Sequence, residues 1–211
     1  MKFLIFIIFI SLSFTKNYIS LEDRFLVPIY IKYGVSFGYN DNIFRFSEHE
    51  KKQNDVQNYM GSSTYFDDSL IKPEFRLLYS PYIFSRTTNF ILFSNTKIFS
   101  QSKEKNSNYL SVRFEQKFGP YNWLKVGYKL STKNLLRFYE DNDLPYDSYR
   151  NCSYDSESIY INYSINFKKI GWSRIQIEKI FHYFNPDFTE FDLDIDRISV
   201  SHNFKINGVS Y

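Results

Sequence analysis

The 211-residue sequence predicts an all-β protein with about eight antiparallel strands in up-and-down order. Three observations support this prediction: alanine is absent, 23 Phe and 19 Tyr supply much of the apolar surface, and apolar and polar residues alternate over long stretches. Alanine is the best helix former, whereas aromatic and β-branched residues favour strands. Codon bias in an AT-rich genome would give a similar composition, so the prediction depends mainly on the alternation.

The N-terminus has the pattern of an export signal. Met1 and Lys2 precede an apolar run over residues 3–14, which has the length of a signal-peptide core and is too short to span a bilayer. We therefore expect a signal peptide at 1–19, cleaved somewhere between residues 14 and 21, and one domain at 20–211. No later stretch has the ~20 apolar residues of a transmembrane helix. A mature chain that spans a membrane would have to do so as a closed β-barrel.

Eight stretches alternate with the period of two that is typical of strands. Six alternate clearly, at residues 28–39, 109–118, 123–132, 158–167, 174–183 and 197–206, and two weakly, at 73–79 and 89–99. Most have about 9 to 12 residues, close to the length of a tilted transmembrane strand. In a soluble sandwich or barrel the polar face would lie outside and the same alternation would result.

The connections between these strands differ in length in a regular way. Long polar connections are expected at 40–68, 133–157 and 184–194, short ones at 119–122 and 168–171, and intermediate ones at 80–88 and 100–107. Outer-membrane barrels have short periplasmic turns and longer external loops. With the mature N-terminus in the periplasm, all the long connections fall on the external side. This agreement favours a transmembrane barrel.

In its export signal, alternating strands and aromatic strand ends, the chain resembles bacterial outer-membrane β-barrel proteins of porin-like or small-barrel architecture. The aromatic residues near strand ends are Tyr39, Tyr79, Tyr109, Phe118, Trp123, Phe167, Trp172 and Tyr183, and the run Gly38–Arg45 is also similar. The resemblance implies an outer-membrane location, with membrane lipid and the barrel-assembly machinery as partners. It transfers no functional residue to this chain.

Two alternatives are open at the C-terminus. A bulge at Asn207 and Gly208 would give a complete eight-stranded barrel that ends in the aromatic Tyr211. Alternatively, Asn207 and Gly208 form a hairpin turn, and the sequence stops within a ninth strand of a larger barrel.

If the apolar faces meet lipid, the opposite faces line a lumen. The charged residues expected there are Lys32, Glu74, Arg76, Arg113, Glu115, Lys117, Lys125, Lys129, Arg174, Glu178, Arg197 and Lys205. Because an eight-stranded barrel has room only for side chains or one small ligand, we expect these charges to pair and fill the interior rather than to line a wide pore.

Other chemistry has little support in the sequence. The net charge of +3 comes from interspersed residues, so no nucleic acid is expected, and the lone Cys152 excludes an intramolecular disulfide. Asp141, Asp143, Asp147, Asp192 and Asp194 are weak candidates for metal ligands, with solvated loop charge as the favoured interpretation. His49, His182 and His202 lie in no catalytic motif, so neither an enzyme nor a cofactor is predicted.

The sequence therefore predicts an outer-membrane barrel with a structural, adhesive or narrow-channel role. One alternative is a soluble exported barrel that binds a hydrophobic ligand, with its apolar strand faces turned inward. The second alternative is a membrane-embedded hydrolase or acyltransferase. The substrate and the oligomeric state cannot be inferred from the sequence.

Overall fold

The structure, a computed structural model, describes residues 20–120, 122–140, 148–167, 171–206 and 209–210. The expected signal peptide lies outside these residues. Most of the described chain is antiparallel β-sheet with few helical residues, which confirms the all-β prediction.

Eight long strands and two short ones follow one brief helix. The elements are α1 (Leu21–Phe25), β1 (Ile29–Asn40), β2 (Asp68–Tyr79), β3 (Tyr82–Ile83), β4 (Arg86–Phe99), β5 (Ser107–Lys117), β6 (Trp123–Glu140), β7 (Tyr149–Asn166), β8 (Gly171–Phe184), β9 (Leu193–Ile206) and β10 (Val209–Ser210). Short 3₁₀ helices lie in the connections at Glu50–Lys52, Val56–Met60, Lys103–Lys105 and Pro186–Phe191.

The long strands pair in chain order and form a single antiparallel sheet. Its order is β1-β2-β4-β5-β6-β7-β8-β9-β10, with β3 attached to β4. Among the described residues no pairing joins β1 to β9, so the sheet is open at both sides. The up-and-down order is as predicted, and closure into a barrel stays a prediction.

Strands β6 and β7 are longer than the alternation predicts. Each has 18 residues, so the expected long connection at 133–157 is wrong over most of its length. The register between these strands shifts between Ser131 and Asn134 and again between Leu135 and Arg137, and Lys133 has a positive φ of 59°. Each bulge changes which face the next residue occupies, so the period of two is lost while the strands continue.

Two short antiparallel strand pairings complete the sheet. Phe84 and Ser85, with φ of 52° and 57°, form a left-handed turn between β3 and β4, as in a two-residue hairpin. At the C-terminus, Val209 and Ser210 pair antiparallel with Ile206 and Lys205. This pairing fits the hairpin alternative, whose expected turn at residues 207 and 208 lies outside the described residues.

The main apolar core lies outside the strand-to-strand packing. Residues 41–67, which connect β1 to β2 and are called the cap below, fold onto one end of the sheet. Their side chains form a buried cluster with Phe99 of β4, and Leu70 of β2 packs against it. The buried members from the cap are Ile43, Phe44, Phe46 and Met60.

Candidate functional site

The strand register gathers the predicted charged residues on one face of the sheet, called the polar face below. Directly paired positions connect Lys32 with Arg76, Glu115 with Lys125 and Glu178 with Arg197 across neighbouring strands. By register, eleven of the twelve predicted residues share this face: Lys32, Glu74, Arg76, Arg113, Glu115, Lys117, Lys125, Lys129, Arg174, Glu178 and Arg197. Lys205 belongs to β9, and its side chain lies outside the described part of the structure.

The burial of the two faces is the reverse of that in a soluble protein. On β7, Asn162 of the polar face is 4% exposed, whereas its neighbour Ile161 is 45% exposed. Each of the eight long strands contributes a large exposed apolar side chain to the opposite face, called the apolar face: Val35, Ile71, Phe90, Val112, Tyr128, Ile161, Ile177 and Ile198 are examples. Polar side chains are therefore sheltered while aliphatic ones face outward.

The most buried charge on the polar face is Glu178, which is 2% exposed. Its carboxylate accepts a hydrogen bond from Lys129 Nζ at 2.9 Å on one oxygen and contacts the Arg197 guanidinium through the other. The Lys129 ammonium also lies 4.7 Å from the ring centre of Tyr160. These residues, Lys129, Tyr160, Glu178 and Arg197, form the central polar cluster. Charge pairing compensates here for the desolvation of the carboxylate.

A row of hydrogen bonds extends this cluster along β7 and β8. Gln176 donates to the second Glu178 oxygen at 3.0 Å and accepts from Asn162 at 3.1 Å. Ser164 then donates to Asn162 at 3.3 Å. Each polar group has a partner, which is the condition for a stable buried network.

Gly127 leaves space for the Tyr160 ring across the polar face. A Cβ atom added to Gly127 would lie 2.4 Å from Tyr160 Cζ, far inside van der Waals contact. Tyr160 is directly paired with both Gly127 and Glu178 on the neighbouring strands. The glycine therefore leaves room for the Tyr160 ring of the central polar cluster.

The second charged cluster surrounds Glu115. Its carboxylate lies 2.9 Å from Arg113 Nε and 3.3 Å from Lys125 Nζ, and it accepts a hydrogen bond from Asn89 at 3.1 Å. Arg113 Nε lacks hydrogen-bond alignment with the carboxylate, so this contact is an ion pair only.

The other predicted residues are less closely engaged. Glu74 pairs with Lys72 at 2.7 Å, and the ammonium of Lys117 lies 5.7 Å from the ring centre of Trp123. Lys32 and Arg76 are both exposed near the open edge at β1. The structure thus gathers the predicted residues into two clusters and leaves a more open basic region near β1.

The weak metal candidates do not gather into a site within the described residues. Asp192 accepts the backbone N–H of Phe184 at 2.7 Å, and Asp194 pairs with Lys179 at 2.8 Å. Among the described residues no group of three His, Cys, Asp or Glu side chains is placed to hold a metal ion. Asp141, Asp143 and Asp147 lie outside the part of the chain that the structure describes.

The histidines and the cysteine occupy separate places. His202 Nδ1 lies 2.7 Å from Ser173 Oγ on the apolar face, and the His182 ring packs on Tyr154. His49 is exposed in the cap. Cys152 falls within the long connection expected at 133–157 and is instead buried in β7.

A set of basic residues that the alternation does not predict lies where the cap meets the polar face. Arg137 forms a 2.7 Å ion pair with Glu50 and lies 4.9 Å from the ring centre of Phe46. The Ser47 backbone N–H and then Arg137 lower the pKa of Glu50 to about 2. Lys105 donates to the carbonyl oxygens of Leu135 and Leu136 at 2.9 and 2.6 Å. These bases lie in connections or after the bulges of β6, where alternation does not reveal the face.

Comparisons with known proteins add no relative: no family model matches the chain, and neither the curated proteins nor the solved structures contain a match. Among the described residues, no helix is long and apolar enough to cross a membrane.

Proposed function

We propose that the sheet forms the wall of an outer-membrane β-barrel whose apolar face contacts lipid and whose polar face lines a narrow aqueous interior. The observation that carries this proposal is the reversed burial of the two faces. Soluble monomers rarely expose contiguous apolar patches larger than a few hundred Å². Here the exposed apolar side chains extend over all eight long strands.

The lipid contact explains why the apolar face is uncovered. Transmembrane barrels turn apolar residues outward and polar residues inward along every strand. The alternative of a soluble barrel around a hydrophobic ligand needs the opposite orientation, with the apolar face sheltered. The exposure of Ile161 beside the buried Asn162 favours the membrane protein.

The proposal requires that the two open edges of the sheet be paired in the membrane. Unpaired backbone N–H and C=O groups cost several kcal/mol each in hydrocarbon, so a spanning sheet has no free edge. The side chains of β1 are exposed on both faces, as are those of β9 down to Ser201. We propose that these edges pair when the barrel closes.

The interior would be narrow rather than a wide pore. The cap folds over one end of the polar face, and the clusters around Glu178 and Glu115 occupy its middle. A structural role or a narrow channel is therefore the function that the geometry supports best.

Accessibility of two neighbouring residues tests the proposal. In a Cys152→Ser background, single cysteines replacing Ser111 and Val112 of β5 are spin-labelled, and the chain is refolded into lipid vesicles. We expect the label at 112 to be more accessible to oxygen, which partitions into lipid, and the label at 111 to a water-soluble nickel chelate. A monomer that folds without detergent and exposes position 112 to the nickel chelate contradicts the proposal and supports a soluble protein.

A further inference from the structure

A cavity of about 170 Å³ lies between the cap and the end of the polar face. Its lining residues come from the β1 end and the cap, from β4 and β5 with the turn between them, and from β6 and β7. They include Arg45, Lys97, Lys105, Ser107, Asn134 and Tyr154. A single water needs roughly 10–15 Å³ of such space, so the cavity has room for a small solute with several waters. We call it the basic pocket.

The basic pocket has only positive charge on its walls. Arg45, Lys97 and Lys105 line it, and none of the lining residues is acidic. Within the described residues, neither Arg45 nor Lys97 has a carboxylate within ion-pair distance. The nearby Glu50 is already paired with Arg137. Three like charges around one small cavity repel each other, and an anion would remove that repulsion.

Lys105 is the most constrained of these cations. Its ammonium lies 4.3 Å from the centre of the Phe44 ring and donates to two backbone carbonyls, so neutral groups hold it in place. Burial first, and then the charges of Arg45 and Arg137, lower the pKa of Lys105 to about 7. A bound anion would stabilise the protonated form.

The pocket also has neutral hydrogen-bonding groups and a fixed backbone. Ser107, Asn134 and Tyr154 are among the lining residues with uncharged polar side chains. Arg45 adopts a positive φ of 57°, and its N–H donates to the Asn42 carbonyl at 3.2 Å. A non-glycine residue in this conformation is strained and is held only by its surroundings. This turn places Arg45 among the residues that line the cavity.

We propose that the basic pocket binds a small, multiply charged oxyanion of the phosphate class. Lysine and arginine are the side chains that recognise phosphate oxygens, and hydroxyl donors complete such sites. The binding site belongs to the cap and the polar face and does not depend on barrel closure.

Titration of the folded chain with inorganic phosphate at low ionic strength, followed by calorimetry, tests the proposal. We expect saturable binding that weakens roughly tenfold in Lys97→Gln and in Arg45→Asn, since asparagine tolerates the positive φ. The matched control is Lys103→Gln, which removes an exposed charge next to the pocket but not on its wall. Circular dichroism verifies that each variant is folded.

Two outcomes would overturn the proposal. One is the absence of saturable phosphate binding to the folded chain. The other is an equal loss of affinity in Lys103→Gln, which would mean general attraction of anions to a basic surface. If the lipid-accessibility experiment fails but the pocket variants lose phosphate, the binding site stands and the membrane location is wrong.

Discussion

The cap and the strands place the same residue types in opposite environments. In the cap, Phe44 is 2% exposed and packs with Phe46 and Met60. On β1, Phe37 is 77% exposed and lies on the apolar face. Isoleucine divides in the same way between Ile43 of the cap and Ile198 of β9. Hydrophobic burial within the chain therefore stabilises the cap, and it contributes much less to the strands.

The central polar cluster shows what replaces apolar packing on the sheet. Glu178 is as buried as Phe44, and its contacts are with Lys129, Arg197 and Gln176. Neighbouring strands are held together mainly by backbone hydrogen bonds. On the polar face, ion pairs between side chains add to these bonds. The cap therefore has an apolar core that is sheltered from solvent, whereas the sheet shelters ion pairs and leaves its apolar side chains exposed.

The largest expected difference in stability is between substitutions of two phenylalanines. Phe44→Ala should destabilise the cap by about 3–5 kcal/mol because it opens a cavity in a closed core. Phe37→Ala, on the exposed face, opens no cavity in the protein and should cost less, because it loses only the transfer of the ring into the micelle, at most about 3 kcal/mol. Urea titration monitored by hydrogen exchange of the cap amides for Phe44→Ala and of the β1 amides for Phe37→Ala measures the two losses. Equal losses would remove the distinction between cap and wall.

A smaller effect is expected for the central polar cluster. Glu178→Gln keeps the shape but leaves Lys129 and Arg197 without a counter-charge, at a cost of about 1–3 kcal/mol in unfolding free energy. Glu140→Gln, at the exposed end of β6, should change the stability by less than about 0.5 kcal/mol. Adding Lys129→Met to Glu178→Gln should recover part of the loss. If Glu178→Gln behaves like the control, the cluster does not stabilise the wall.

Local alternation was enough to predict most of the sheet. Ile159, Ile161 and Tyr163 share one face of β7 because side chains alternate strictly along a strand. The extensions of β6 and β7 were not predictable, since the bulges near Lys133 and Leu136 break that rule. The cap core was missed because its packing depends on contacts between residues distant in sequence.

For the candidate site, the alternation predicted the face on which the charged residues lie but not their ion-pair partners. Parity put Glu178 and Lys129 on one face, but their ion pair joins residues 49 positions apart and depends on the register of three strands. The basic pocket was missed because Arg45 and Lys105 lie in connections without periodicity. Lys97 lies in β4, whose two faces have similar composition in the sequence.

Two glycines of the polar face give the next smaller contrast. Gly127→Ala would force the buried Tyr160 ring to move, with an expected loss of about 1–3 kcal/mol. At Gly34 on β1 the nearest atoms are 4.0 Å from the added methyl group, so Gly34→Ala should be neutral or slightly stabilising. Urea unfolding of both variants measures the difference. If Gly127→Ala does not change the stability, the Tyr160 ring does not fill the space beside Gly127.

The last comparison concerns the boundary between the cap and the sheet, at Lys105. Its folded pKa of about 7 is below the ordinary 10.5, so the unfolded chain binds more protons between these values. The charged Lys105 opposes folding below pH 7, and stability should therefore rise with pH across this window, by at most about 1.4 kcal/mol per pH unit. The groups around its ammonium are the Phe44 ring, two carbonyls and the charges of Arg45 and Arg137.

Urea unfolding between pH 7 and 9 measures this slope in the wild-type chain, in Lys105→Met and in the exposed control Lys103→Met. Lys105→Met should reduce the slope, whereas Lys103→Met, which leaves Lys105 in place, should keep it. Unchanged slopes in both variants would mean that Lys105 is solvated. The cap would then not exclude water from the polar face, and the contrast between a closed cap core and an open wall would apply only to its aromatic residues.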